Sequence, residues 1–392
     1  MTDLLVSDTT TDTETGTTAT GTAAEALAAP GTTAPAVPFR SIHSHLTQRA
    51  LRLQPTSTAV RAAYNEAPFT PIPAVTEAIA SAAAGLNLYP EGIGTLEAKL
   101  AAHHGVEDLG EGCVVVSPGS GFMLHNLAIA TCDPGDEVMF GWRSFDAYFN
   151  AAATAGAKAV AVPVLDSGAL QLEAMAEAIT DRTRLIVLCT PNNPSGAPLM
   201  HADVLDFLAK VPSNVLVVLD DAYGEYATAE GVVDGFALAA QFPNVAVLKT
   251  FSKFFGLAGL RLGYLIARPE ITTGIRRISL LSGVSTLAVQ AGLACLEPAS
   301  VAEYEERRRV TLAERTRIES TLVDQGFTIY PSQANFILID LGEKSDDFAA
   351  FSAANGVIIR SYGEDGARYS IMLPEVNDLF LEITEKWQVE QA

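Results

Sequence analysis

Cationic side chains are scarce in this sequence: 25 Lys and Arg stand against 46 Asp and Glu over 392 residues, a formal charge of −21. That excess repels phosphodiester backbones and anionic lipid headgroups, so nucleic-acid and membrane-surface roles are disfavoured. Cysteine is scarcer still. Cys113, Cys132, Cys189 and Cys295 lie far apart among apolar or small residues, with no C-x-x-C spacing, and read as reduced thiols in or near a core. No apolar stretch reaches the length of a membrane span. The N-terminus carries neither a basic nor a hydrophobic leader region, the first basic residue being Arg40, so a cytoplasmic protein is expected. What is present suffices for a large core: 48% of residues are hydrophobic and 18% charged, in a length that suits two or three domains or one large domain with an appendage.

Residues 1–38 are rich in Thr, Ala, Gly and Asp, show no periodicity and read as a disordered tail; the stretch to residue 59 reads as an arm that packs on the body. Beyond it, strand-like and helix-like runs alternate. Val215 to Leu219 is a continuous apolar run of the kind a strand covered on both faces requires. Repeated strand, loop and helix predict a doubly wound α/β arrangement, in which ligands gather outside the carboxyl ends of the strands. After Ala267 the pattern changes to long helices and then to short alternating strands at 335–339, 357–360 and 369–372. The expected division is an arm over 39–70, a large domain over 71–296 and a small one over 297–392.

Four loops carry the chemistry. The strand Cys113 to Val116 ends at Ser117-Pro118-Gly119-Ser120-Gly121 before a helix, aiming backbone N–H groups and the positive helix end at one spot that suits an anion. The spacing is not G-x-G-x-x-G, and no acidic residue follows at the interval a nicotinamide cofactor needs. The strand Arg184 to Cys189 runs into Thr190-Pro191-Asn192-Asn193-Pro194-Ser195-Gly196, where the prolines fix the loop and leave Asn193 facing the strand end. Val215 to Leu219 ends in Asp220-Asp221-Ala222-Tyr223. Val245 to Leu248 leads into Lys249 to Tyr264, which holds Thr250, Ser252, Lys253 and Arg261. A lysine buried or flanked by cations loses its proton readily, and its amine can then bond a carbonyl cofactor. Two hydroxyls and an arginine beside it are donors for a phosphate. An aldehyde and a phosphate together point to pyridoxal 5′-phosphate.

These motifs resemble the fold-type-I pyridoxal-phosphate enzymes of the aspartate aminotransferase superfamily, in the branch that holds histidinol-phosphate and aromatic amino acid aminotransferases. The resemblance implies a mostly parallel seven-stranded sheet flanked by helices, with a smaller α+β C-terminal domain. It implies that Lys253 carries pyridoxal 5′-phosphate and that Ser120, Gly121, Thr250, Ser252 and Arg261 surround the phosphate. Family members often carry an acidic residue where Gly121 stands, so only backbone contacts are expected there. Tyr89, in Asn87-Leu88-Tyr89-Pro90, matches a tyrosine that reaches the neighbour's cofactor phosphate, which implies a homodimer with shared active sites. Phe145 matches the ring stacked on the pyridine, Asp220 the partner of the pyridine nitrogen, and Asn193 and Tyr223 the partners of the phenolic oxygen. Arg368 matches the clamp on the substrate α-carboxylate. Asn65, in Asn65-Glu66-x-Pro68, and Arg360 are expected on the substrate side, Arg360 at a position that contacts phosphate in histidinol-phosphate enzymes.

Trp142 to Tyr148 and Glu364 to Arg368 look like the aromatic (phenylalanine) aminotransferases of actinobacteria. The expected reaction is transamination of Phe, Tyr or Trp with a 2-oxo acid such as 2-oxoglutarate. Three alternatives stand beside it. Histidinol-phosphate transamination would need added cationic or phenolic donors, which Ala67 does not offer. Another fold-type-I reaction, such as decarboxylation or β-elimination, would share the cofactor cradle. A cofactor-binding regulator without turnover would need a DNA-binding module, which the acidic tail does not provide.

Overall fold

The structure is a computed structural model that describes residues 59–391; the tail expected over 1–38 and the arm segment up to residue 58 lie outside the described residues. The described chain begins with a two-residue strand β1, Val60–Arg61. The β-branched and leucine runs then form β2 (Val114–Ser117), β3 (Glu137–Trp142), β4 (Lys158–Pro163), β5 (Thr183–Cys189), β6 (Leu216–Asp220), β7 (Val245–Thr250) and β8 (Gly263–Ala267). They make one seven-stranded sheet of order β2-β8-β7-β6-β5-β3-β4, mostly parallel as expected, with β8 antiparallel to both neighbours. The reversal at β8 follows from the Lys253 loop, which turns directly back from Thr250 to its ladder partner Gly263 with no crossover helix between them.

Side-chain alternation along the strands feeds two cores. Val217, Leu219, Val245 and Val247 point to one face, covered by the helices Ile93–His104, His201–Leu208, Gly235–Gln241 and Thr286–Cys295. Leu216, Val218, Ala246 and Leu248 point to the other, covered by Ser120–Thr131, Ala147–Ala155 and Pro269–Ile278. All four cysteines are buried and free of disulfides. No described helix is long and apolar enough to cross a membrane.

The C-terminal part adds β9 (Thr328–Tyr330), β10 (Phe336–Asp340), β11 (Val357–Ile358), β12 (Arg360–Ser361) and β13 (Ala367–Ser370). The run expected as one strand over 357–360 is split at Ile359. Its first half pairs in parallel with β1, and its second joins the antiparallel sheet β12-β13-β10-β9. The split is productive, because it places Arg360 directly across from Arg368 in the ladder. Ala62, next to β1, is buried in this smaller core with Ile337, Tyr369 and Phe380. The 27-residue helix Pro298–Asp324 joins the two parts: Tyr304 is buried in the large core, Ile318 and Leu322 in the small one.

Candidate active site

Strand ends from the large sheet and the edge of the small sheet enclose a cavity of ≈ 320 Å³. It is lined by Asn65, Ser120, Gly121, Phe145, Asn193, Asp220, Tyr223, Thr250, Ser252, Lys253, Arg261, Arg360 and Arg368, which are all the expected site residues except Tyr89. Tyr89 is 85% exposed, on a different part of the surface.

Lys253 follows β7 by three residues and is half-buried among the groups around it. Its Nζ donates to the carbonyls of Tyr64 (2.9 Å) and Asn65 (3.0 Å) and lies 5.7 Å from the centre of the Tyr223 ring. Burial lowers its pKa to about 7; the charge of Arg368 acts in the same direction, Glu66 opposes it, and Arg261 adds a smaller lowering. A neutral amine near pH 7 is what bond formation to a carbonyl requires.

The anion cradle is built by omission of side chains. Gly119, at φ 86°, precedes the helix Ser120–Thr131, whose first turn has no side-chain cap, leaving its N–H groups open to a ligand. A Cβ on Gly119 would stand 2.6 Å from Nη2 of Arg261, so only glycine lets that guanidinium lie against the loop. Gly263 does the same from below, since a Cβ there would stand 2.4 Å from the Ser120 nitrogen. Thr250 Oγ1 donates to Ser252 Oγ at 3.0 Å on the facing side.

Asp220 ends β6 fully buried. Its Oδ2 accepts from the phenol of Tyr148 at 2.7 Å, and its Oδ1 has no hydrogen-bond partner. Burial lifts the carboxyl to about 6, while the Tyr148 bond pulls it down. An orphaned carboxylate oxygen that lines a cavity calls for a cationic donor, and the protonated nitrogen of a pyridine ring is one. Burial also holds the Tyr223 phenol well above its usual pKa, and its oxygen accepts from Asn65 Nδ2 at 3.0 Å. The residues present therefore fit pyridoxal phosphate: an amine, an anion cradle, an unmatched carboxylate oxygen and an aromatic ring, Phe145, at the mouth.

Arg368 is 2% exposed. It donates to Asn193 Oδ1 and to the Ala63 carbonyl (2.7 Å), while its Nε is buried without a partner. Arg360 is different in kind: its Nη2 meets Asp146 Oδ2 at 2.5 Å. Among the described residues, neither Arg261 nor Arg368 has a carboxylate within ion-pair distance, so of the three guanidiniums lining the cavity two are open to anions and one is neutralised.

Sequence reading did not single out Tyr64, Cys189 and Glu66 as lining residues, nor Tyr148 as the partner of Asp220, nor Tyr362. The Tyr362 ring lies within 4.9 Å, 5.4 Å and 5.9 Å of the Arg360, Arg368 and Arg143 guanidinium carbons. Its position between the two cavity arginines, on the loop that joins β12 to β13, was the available signal.

Residues 59–368 match the family described as aminotransferase class I and II. The chain is 44% identical over 324 residues to an aromatic amino acid aminotransferase of Rhodococcus opacus (strain B4), covering 82% of this chain and 88% of that protein. It is 42% identical over 334 residues to one of Thermobifida fusca (strain YX), with 85% and 91% covered. The fold is also similar to a histidinol-phosphate aminotransferase of Sinorhizobium meliloti solved in complex with pyridoxal-5′-phosphate, at a TM-score of 0.76 and 27% identity over 85% of this chain and 92% of that one.

Proposed function

We propose, for a chain that belongs to the aminotransferase class I and II family, the transamination of aromatic L-amino acids with a 2-oxo acid, using pyridoxal phosphate held at Lys253. The observation that carries the reading is the cavity in which a lysine of lowered pKa, an uncapped helix N-terminus and an unmatched buried carboxylate oxygen converge. When bound, the cofactor supplies a carbonyl for the amino group and a protonated ring that draws electrons from the substrate α-carbon.

The chain's own residues do the rest. Arg368 holds the substrate α-carboxylate by its planar fork, and Asn65 steadies that side of the cavity. The Lys253 amine would take the proton from the substrate α-carbon and hold it for return, acting first as base and then as acid. Asp220 would keep the ring nitrogen protonated, while Tyr223 and Asn193 would hold the phenolic oxygen. Ser120, Gly121, Thr250, Ser252 and Arg261 would hold the phosphate, and Phe145 would offer its ring to the pyridine. A cytoplasmic homodimer is the setting we infer, with the exposed Tyr89 reaching the neighbour's cradle.

The aromatic substrate class is supported by the names of the relatives and by the Arg360–Asp146 pair. A distal phosphate, as on histidinol phosphate, would meet a guanidinium already neutralised by a carboxylate. The test is formation of phenylpyruvate from phenylalanine and a 2-oxo acid by the holoprotein. Lys253→Ala should abolish it in a folded protein; turnover at the normal rate in that variant ends the reading.

A further inference from the structure

Behind the cavity lies an ion cluster, a buried lysine between two half-buried carboxylates, that the proposed chemistry does not use. Lys249 is 3% exposed, and its Nζ meets Asp221 Oδ2 at 2.9 Å and Glu225 Oε1 at 2.8 Å. Burial alone would lower its pKa, but the two carboxylates reverse this and hold it protonated. Its ladder partner across β8, Tyr264, shares a 2.8 Å hydrogen bond with His104, whose own pKa burial and the Lys249 charge push down to about 2. His104 is therefore neutral, His103 beside it is shifted in the same direction by burial, and the lysine's counter-charges are Asp221 and Glu225.

Stability does not explain such a cluster. Taking the lysine's charge out of water costs several kcal/mol, its part-exposed partners Asp221 and Glu225 less, and well-packed apolar residues of similar volume are often as stable or more so. Its placement is informative instead. Asp220 and Asp221 are consecutive and face opposite sides of the sheet: Asp220 meets Tyr148 on the cavity side, and Asp221 meets Lys249 on the far side. Asp221 and Glu225 bracket Tyr223, so a single ammonium ties down both ends of the turn that carries Tyr223 and begins directly after Asp220. Gly224 completes the turn, because a Cβ there would stand 1.8 Å from Asp221 Oδ1. Lys249 also lies four residues before Lys253 on the chain.

We propose that Lys249 is a positioning residue: through Asp221 and Glu225 it fixes the Asp220–Tyr223 turn against the strand that leads to Lys253, and so sets where Asp220 and Tyr223 meet the cofactor ring. The inference rests on the cofactor-facing roles of Asp220 and Tyr223 given above. Lys249 touches neither substrate nor cofactor, and it acts only through the turn.

The test uses the pyridoxal-phosphate-loaded protein with Lys249→Met and, as a milder second variant, Asp221→Asn, which leaves Lys249 paired with Glu225. Three quantities are read: the visible absorbance band of the bound cofactor without substrate, kcat and KM for phenylalanine, and Tm. A displaced ring partner changes the band and the transition state but leaves the Arg368 clamp intact. The expected result is a shifted band with kcat lowered about 10–100-fold and KM within about twofold of the wild type. A folded Lys249→Met protein with the wild-type band and kcat overturns the proposal, as does a loss confined to Tm or to KM. If Lys249→Met does not fold, Asp221→Asn decides by the same criteria. Absence of phenylalanine turnover in the wild type would instead remove the substrate reading and leave the band test standing.

Discussion

The phenol of Tyr148 donates a 2.7 Å hydrogen bond to Oδ2 of Asp220, 72 residues further along the chain. One side of the carboxylate is thereby fixed, and the other, Oδ1, is left to the cavity. Burial raises the Asp220 pKa to about 6, and the Tyr148 bond opposes that rise. Tyr148→Phe removes the opposing contribution, so the carboxyl titrates at higher pH and the ionised form is lost earlier on acidification. The acid limb of the kcat/KM profile for phenylalanine should move upward. An acid limb unchanged between pH 5 and 8 would contradict this role.

Lys253 has its folded-state pKa lowered to about 7 by burial, against an ordinary value of 10.5. The folded cofactor-free protein thus disfavours the ammonium, and the penalty grows as pH falls from 10.5 to about 7 and is complete below it. Lys253→Met should therefore raise the Tm of the cofactor-free protein at pH 6 and raise it less at pH 9. A variant less stable than the wild type at pH 6 would show that the lysine is not held under this desolvation penalty.

Asp146 is the counter-charge of Arg360 at the cavity wall. Asp146→Asn keeps an oxygen acceptor and removes the negative charge, leaving Arg360 available to a distal anion. Its half-reaction with histidinol phosphate should improve relative to phenylalanine by about tenfold, from an electrostatic difference of about 1–2 kcal/mol. A ratio that does not change would remove the pair from any account of substrate choice.

Arg368 is buried and makes its contacts from a planar fork. Arg368→Lys keeps the charge but not the fork, and should lower kcat/KM for phenylalanine by about 10²-fold, the equivalent of losing one or two charge-assisted hydrogen bonds. Steady-state kinetics within about threefold of the wild type would argue against a bidentate carboxylate clamp.

The seven-stranded sheet was legible because a parallel strand buried on both faces is written as an unbroken apolar run, and Val215 to Leu219 or Val245 to Leu248 need no partner to be recognised. The residues at their ends, Asn193, Asp220 and Lys253, were legible for the same reason, since the fold rule places ligands at strand ends. What escaped depends on contacts distant in sequence. Tyr148 looks like one more core aromatic in a helix until β6 brings Asp220 to it. Lys249 reads as a strand residue next to a motif until the turn beyond β6 supplies two carboxylates. The split at Ile359 was hidden because one half of the run answers to β1 and the other to β13, and nothing local marks the change. The amphipathic helix Pro269–Ile278 and the three-residue β9 carry signals too short or too polar to stand out.

The central claim is that this cavity binds pyridoxal phosphate at Lys253 and accepts aromatic amino acids. It is tested most directly by a single-turnover absorbance scan of the yellow holoprotein mixed separately with phenylalanine and with histidinol phosphate. The account predicts rapid loss of the visible band with phenylalanine and little change with histidinol phosphate. The reverse ranking would contradict the substrate class, and a protein that takes up no visible cofactor would contradict the reading of Lys253 itself.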